Sequence, residues 1–126
     1  MRILLSDPIL SFMDKYLPPI SEVFQALSDP TRIAIVCALV GGAQTVSALA
    51  APFDMALPSF MKHLTVLERS GLIHTQKAGR TRTCELRPET LSMAEKWIAE
   101  QRAMWEARSD RMVRFVERLH QAEQKK

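Results

Sequence analysis

Apolar positions recur along most of this chain at steps of three and four, the spacing that lines one face of a helix. Asp7-Pro8 supplies a cap and a first-turn proline for a short helix over Ile9 to Tyr16, which Pro18-Pro19 interrupts. A second short helix follows, with Val23, Phe24 and Leu27 on one side. Ser28-Asp29-Pro30-Thr31 restarts the chain. Asp29 can cap, and Pro30 suits the first helical position, where its missing N–H would be unpaired in any case. Ile33, Val36, Cys37 and Val40 then mark the apolar face of a helix that Gly41-Gly42 ends. Thr45 is a good N-cap for Val46 to Ala51, with Val46, Leu49 and Ala50 apolar, and Pro52 closes that element. After a turn through Phe53-Asp54-Met55, the spacing predicts a longer helix over about Ala56 to Ser70. Its inward face is Phe60, Leu64 and Leu67, Pro58 fits its first turn, and Gly71 stops it.

The period then changes. Leu72 to Lys77 and Arg80 to Leu86 read as two strands around Ala78-Gly79. Cys84 and Leu86 share one face of the return strand, Thr81, Thr83 and Glu85 the other, and Lys77, Arg80 and Arg82 gather at the tip. A short helix, a tight turn and a longer helix make a helix-turn-helix, and a basic-tipped hairpin directly after it makes a winged helix. Pro88-Glu89 opens a last helix that runs without Pro or Gly to about Gln121. At 1.5 Å per residue it would be about 50 Å long, more than a domain of this size needs. Leu91, Ala94, Ile98, Gln101, Trp105, Arg108, Met112, Phe115 and Leu119 step by three and four throughout, and Trp97, Met104 and Val116 widen the stripe. A helix that overshoots its own core with such a seam calls for a second chain. The expected fold is mainly α with a small β-hairpin, a winged helix-turn-helix that is dimeric through its terminal helices. It comprises an N-terminal extension over 1–19, a DNA-binding core over 20–88 and a long dimerisation helix over 89–126, one domain overall.

Composition narrows the class. A chain of 126 residues with 47% hydrophobic and 25% charged residues is an ordinary globular protein, neither disordered nor collagenous. No apolar run approaches the ~18 residues of a membrane span. Met1 to Pro8 breaks off too soon for the apolar core of a secretion signal. Cys37 and Cys84 make neither a disulfide scaffold nor a zinc ribbon. The expected setting is the cytoplasm, with no membrane partner. The net charge is +3, and residues 72–88 alone carry that excess, with Lys77, Arg80, Arg82 and Arg87 against Glu85. Such a local cluster attracts a phosphate backbone even in a nearly balanced chain.

Phe24-Gln25-Ala26-Leu27-Ser28-Asp29-Pro30-Thr31-Arg32 resembles the opening of the bacterial ArsR/SmtB-type winged-helix repressors. Leu57-Pro58-Ser59-Phe60-Met61-Lys62-His63-Leu64, then Val66-Leu67-Glu68 and Ser70-Gly71-Leu72-Ile73, is similar to the recognition helix and exit of that family, and Lys77-Ala78-Gly79-Arg80 to its wing. The resemblance covers about residues 20 to 120, in family order and spacing. It implies a homodimer that binds operator DNA and represses transcription, often until a ligand releases it. Any effector is unknown.

Major-groove reading uses side chains at the exposed N-terminal part of one helix. The candidates are Ser59, Lys62 and His63, with Thr65 and Arg69 further along. His63 has a second reading, as a half-buried, hydrogen-bonded helix residue. Ala56, Leu57 and Met61 stand where relatives commonly carry Ser or Gln, so base reading is expected to be sparse or to use thymine methyl groups. Lys77, Arg80 and Arg82 would meet the flanking backbone or the minor groove. The dimer interface is expected at Leu91, Ala94, Ile98, Trp105, Met112, Phe115 and Leu119. A short, imperfect palindrome is the expected site.

Metal-sensing relatives carry a cysteine pair before the recognition helix, or carboxylate and histidine clusters on the last helix. Ser47-Ala48-Leu49-Ala50 occupies the first place, and His120-Gln121-Ala122-Glu123 is only a fragment of the second, with Ala107 and Ser109 where partners would stand. No metal and no cofactor are expected. Cys37 lies where some thiol-sensing relatives carry one of two reactive cysteines, which leaves a redox-sensing repressor as one alternative. Another is a dimeric interaction module whose apolar recognition helix, through Ala56, Leu57 and Met61, docks a protein instead of DNA. No phosphate loop, His-Glu-x-x-His or nucleophile elbow is present, so an enzyme is not expected.

Overall fold

The computed structural model describes residues 17–125; the short helix expected over 9–16 lies outside them. The chain divides into two compact units, one through Ser92 and one from Met93.

The first unit opens with helix α1 (Leu17–Ala26) and helix α2 (Pro30–Leu39). Pro18 and Pro19 do not break α1. They fall in the first turn of α1, where the missing N–H groups have no helical acceptor to lose. Ile20, Val23 and Ala26 are buried at steps of three, and Phe24 is turned outward. The Asp29 carboxylate caps α2, accepting from the amides of Thr31 at 2.8 Å and Arg32 at 3.2 Å. The buried face of α2 is Ile35, Val36 and Leu39, which corrects the expected face. Ile33 and Val40 are 47% and 69% exposed, and Cys37 is exposed as well. Arg32 is the one charge in this ten-residue helix. A helix apolar nearly all round fits two faces equally, and packing against the rest of the fold selects one.

Strand β1 (Gln44–Thr45) is short, and Thr45 also caps helix α3 (Val46–Ala50), its hydroxyl accepting from the Ala48 amide at 3.2 Å. Helix α4 (Leu57–Arg69) buries Phe60, Leu64 and Leu67, the expected face, and packs on α1 and α2. The Phe60 ring is tilted against Phe53 with centroids 5.4 Å apart. Gly71, at φ +80°, ends α4: its amide donates to the Glu68 carbonyl at 3.0 Å and that of Leu72 to Leu67 at 3.1 Å. This paired closure requires a left-handed residue, which glycine adopts without strain.

Strands β2 (Ile73–Ala78) and β3 (Thr81–Leu86) form the hairpin, with Ile73 opposite Leu86 and Ala78 opposite Thr81. The two turn residues are Gly79 and Arg80, and Gly79 takes φ +64°. β1 adds a third strand against β3, pairing Gln44 with Cys84, so the sheet order is β1-β3-β2. Its two residues carry no period to read in the sequence. Helix α5 (Pro88–Gln124) begins here, its residues from Met93 on belong to the second unit, and it ends three residues beyond the expected Gln121. Among the described residues of that second unit only Ala94 is buried.

Candidate nucleic-acid interface

α3, the turn through Phe53 and α4 form the helix-turn-helix. Burying Phe60, Leu64 and Leu67 turns the opposite side of α4 to solvent. Ser59, Lys62, Thr65 and Arg69 all lie on it, at steps of three and four, and all are exposed. The Thr65 hydroxyl is committed, donating to the Met61 carbonyl at 3.0 Å. Leu57, in the first turn of α4, is 57% exposed, and the N-terminal end of the outward face itself presents the Ser59 hydroxyl and the Lys62 ammonium. Ala56 at the N-cap offers no side-chain acceptor to the first-turn amides.

His63 stands at the edge of that face. Its side chain is 22% exposed, and its Nδ1 lies 3.1 Å from Arg32 Nη1 and 3.8 Å from Asp29 Oδ2. Arg32 in turn donates through Nε to the Ala26 carbonyl at 2.6 Å and through Nη2 to the Gln25 carbonyl at 3.2 Å. Partial burial pushes the Asp29 carboxyl up, but the amide of Arg32, the nearby His63, the amide of Thr31 and the Arg32 guanidinium together hold it below its ordinary value. The sequence reading had no role for Arg32; the available signal was its isolation as the sole charge of α2.

The hairpin is tied to α4. The Thr75 hydroxyl donates to Glu68 Oε1 at 2.9 Å. At its base Arg87 Nη2 lies 3.2 Å from His74 Nδ1, and Thr90 donates to the Gly71 carbonyl at 2.6 Å. At its tip, Lys77 is directly opposite Arg82 and Arg80 occupies the turn, all three exposed. Among the described residues the close acid–base contacts are Arg102 with Glu106 and Asp29 with His63, the latter an ion pair only when the ring is protonated, so no carboxylate neutralises the tip. Like charges directly opposite each other weaken a hairpin, so this pair is not there for stability. Cys84 is buried beneath the sheet, and burial pushes its thiol up, away from the reactive thiolate.

Among the described residues no three His, Cys, Asp or Glu side chains gather where they could hold a metal ion. No helix among them is long and apolar enough to cross a membrane. Along α5, Leu91 is half-buried, and beyond Ala94 the seam is open: Ile98 48%, Trp105 67%, Met112 66%, Phe115 54% and Leu119 53% exposed.

A helix-turn-helix carrying a cationic β-wing defines a winged-helix DNA-binding protein. A helix-turn-helix domain family matches residues 27–76. The chain is similar to the transcriptional repressor SdpR of Bacillus subtilis, 32% identical over 78 residues that cover 62% of this chain and 87% of that protein. It is 31% identical over 105 residues to the arsenical resistance operon repressor of Escherichia coli, covering 82% of this chain and 86% of the relative. The crystal structure of an ArsR family transcriptional regulator superposes with a TM-score of 0.70 at 54% identity, over 72% of this chain and 94% of that one. The chain belongs to the ArsR family of helix-turn-helix transcriptional regulators.

Proposed function

We propose that the protein is a homodimeric repressor that grips a short, imperfect palindromic operator. One recognition helix α4 from each copy enters successive major grooves, with half-sites roughly one DNA turn apart. Ser59, Lys62 and His63 stand nearest the base edges, and Thr65 and Arg69 continue along the same face. Leu57 suits a thymine methyl. Lys77, Arg80 and Arg82 hold the flanking phosphates or the adjacent minor groove. The two copies join along α5, where Trp105, Met112, Phe115 and Leu119 are open to solvent in the single chain.

The observation that carries this reading is the facing of Lys77 and Arg82 across the hairpin, with Arg80 between them and, among the described residues, no carboxylate in reach. An arrangement that weakens the free hairpin is supported by an anion it meets elsewhere, and a duplex supplies two rows of them. The experiment replaces Arg80 and Arg82 together by Ala. Selection from a random duplex pool first yields the operator. The double variant should then lose at least tenfold in operator affinity, with the dependence on salt shallower by about two units. Unchanged affinity and salt dependence would remove the wing from the interface, and uniform affinity of the unaltered protein for all duplexes would remove the operator.

A further inference from the structure

His63 has two ring nitrogens, and which one carries the proton decides whether the ring offers the duplex a donor or an acceptor. The surrounding atoms decide it. Nδ1 faces Arg32 Nη1 at 3.1 Å. A guanidinium has only N–H donors and keeps its charge at any working pH, so the nitrogen it faces must present a lone pair. The competing partner, Asp29 Oδ2, is 3.8 Å away, beyond hydrogen-bonding reach, and already accepts from the amides of Thr31 and Arg32. The guanidinium itself is held by the Ala26 and Gln25 carbonyls at the end of α1, so it cannot swing away without losing both. The ring proton therefore sits on Nε2. Among the described residues that nitrogen has no partner and no polar side-chain atom is sealed from water without one, so Nε2–H reaches solvent.

We propose that Arg32 is a positioning residue that locks His63 with its proton on Nε2, making it a dedicated hydrogen-bond donor on the edge of the recognition helix. Its ligand is an acceptor on the DNA, a phosphate oxygen or the acceptor edge of a purine. The donor role rests on the reading of α4 as the helix that enters the groove; the lock does not. Arg32 joins α1, the start of α2 and the middle of α4 through one planar group, so the lock also sets where the ring stands relative to the rest of the fold.

The test has two arms. Nitrogen-15 NMR of the histidine rings in the DNA-free protein at about pH 8, where an unperturbed imidazole is neutral, reports the tautomer directly. The unaltered protein should show His63 as the Nε2–H form. Arg32→Lys keeps the charge but loses the fork, and should show a mixture of both forms while still melting cooperatively. An Nδ1–H ring in the unaltered protein, or an identical ring spectrum in Arg32→Lys, overturns the lock. Operator binding forms the second arm. His63→Gln places an amide N–H near the former Nε2 and should stay within about threefold, whereas His63→Leu should lose about tenfold. A loss equal across operator variants identifies a phosphate, and a loss confined to one base pair identifies a base edge. If both variants bind as the unaltered protein does, the donor role is overturned. If the expected spectrum is seen but no duplex is bound, the operator reading fails, taking the donor role with it, and the lock stands.

Discussion

Phe60 is 1% exposed at the centre of the winged-helix unit, whereas Trp105, a larger apolar side chain, stands 67% exposed on the helix that forms the other. The contrast extends beyond these two. Ile35, Leu39, Leu49, Leu67, Leu72 and Ile73 are all within 2% of complete burial, and Met112, Val113, Phe115, Val116 and Leu119 are all more than half exposed. The first unit has found partners for its large apolar groups within one chain. The second leaves its stripe open, and on the proposed dimer that stripe is half of an interface, because a lone helix can bury a stripe only against something else. Under that proposal stability is of two kinds, one intrinsic to the chain and one that depends on its concentration.

The sharpest way to break the comparison is to charge the open stripe. Trp105→Glu with Met112→Glu should convert a sedimenting dimer to a single chain and lower operator affinity by about a hundredfold or more, as two tethered readers become one. A variant that still sediments as a dimer would move the interface elsewhere. Phe60→Ala attacks the other side. It should cost about 3–5 kcal/mol in thermal or urea unfolding, the usual price of emptying an aromatic site. Gly71→Ala sharpens the picture at the exit of α4. A Cβ there meets φ +80° and the Thr90 hydroxyl at 3.4 Å, so roughly 1–2 kcal/mol should be lost in the same measurement. The smallest effect is at Asp29. Its carboxyl is held low in the fold, so the cap contributes stability above the ordinary carboxylate range and loses it as pH falls through the folded value. Melting temperature followed downward from neutral pH should therefore fall more steeply for the unaltered protein than for Asp29→Asn.

Much of this was legible without coordinates, and the exceptions have physical causes. α4 and the hairpin read correctly because each has a clean period, one of Phe60, Leu64 and Leu67, the other of alternating residues around Gly79. The α2 face did not, because Ile33, Ile35, Val36, Cys37, Leu39 and Val40 satisfy more than one phase and only long-range packing chooses. β1 went unseen for a related reason: two residues pair with β3 some forty positions later, which no local pattern announces. At the interface, the outward placement of Ser59, Lys62, Thr65 and Arg69 follows from the buried face opposite, so it could be read. The link from Arg32 to His63 spans two helices and depends on atoms, not spacing.

The cationic hairpin tip also bears on what happens before any duplex arrives. Lys77, Arg80 and Arg82 crowd one end of two strands, so small anions from the buffer will gather around them. On the proposed grip those ions leave when polyphosphate takes their place, and their release belongs to the driving force as much as the cations shed by the nucleic acid. The identity of the buffer anion, and not only its concentration, thereby becomes a control on occupancy: a weakly held carboxylate such as glutamate should leave the tip readier for its target than chloride does.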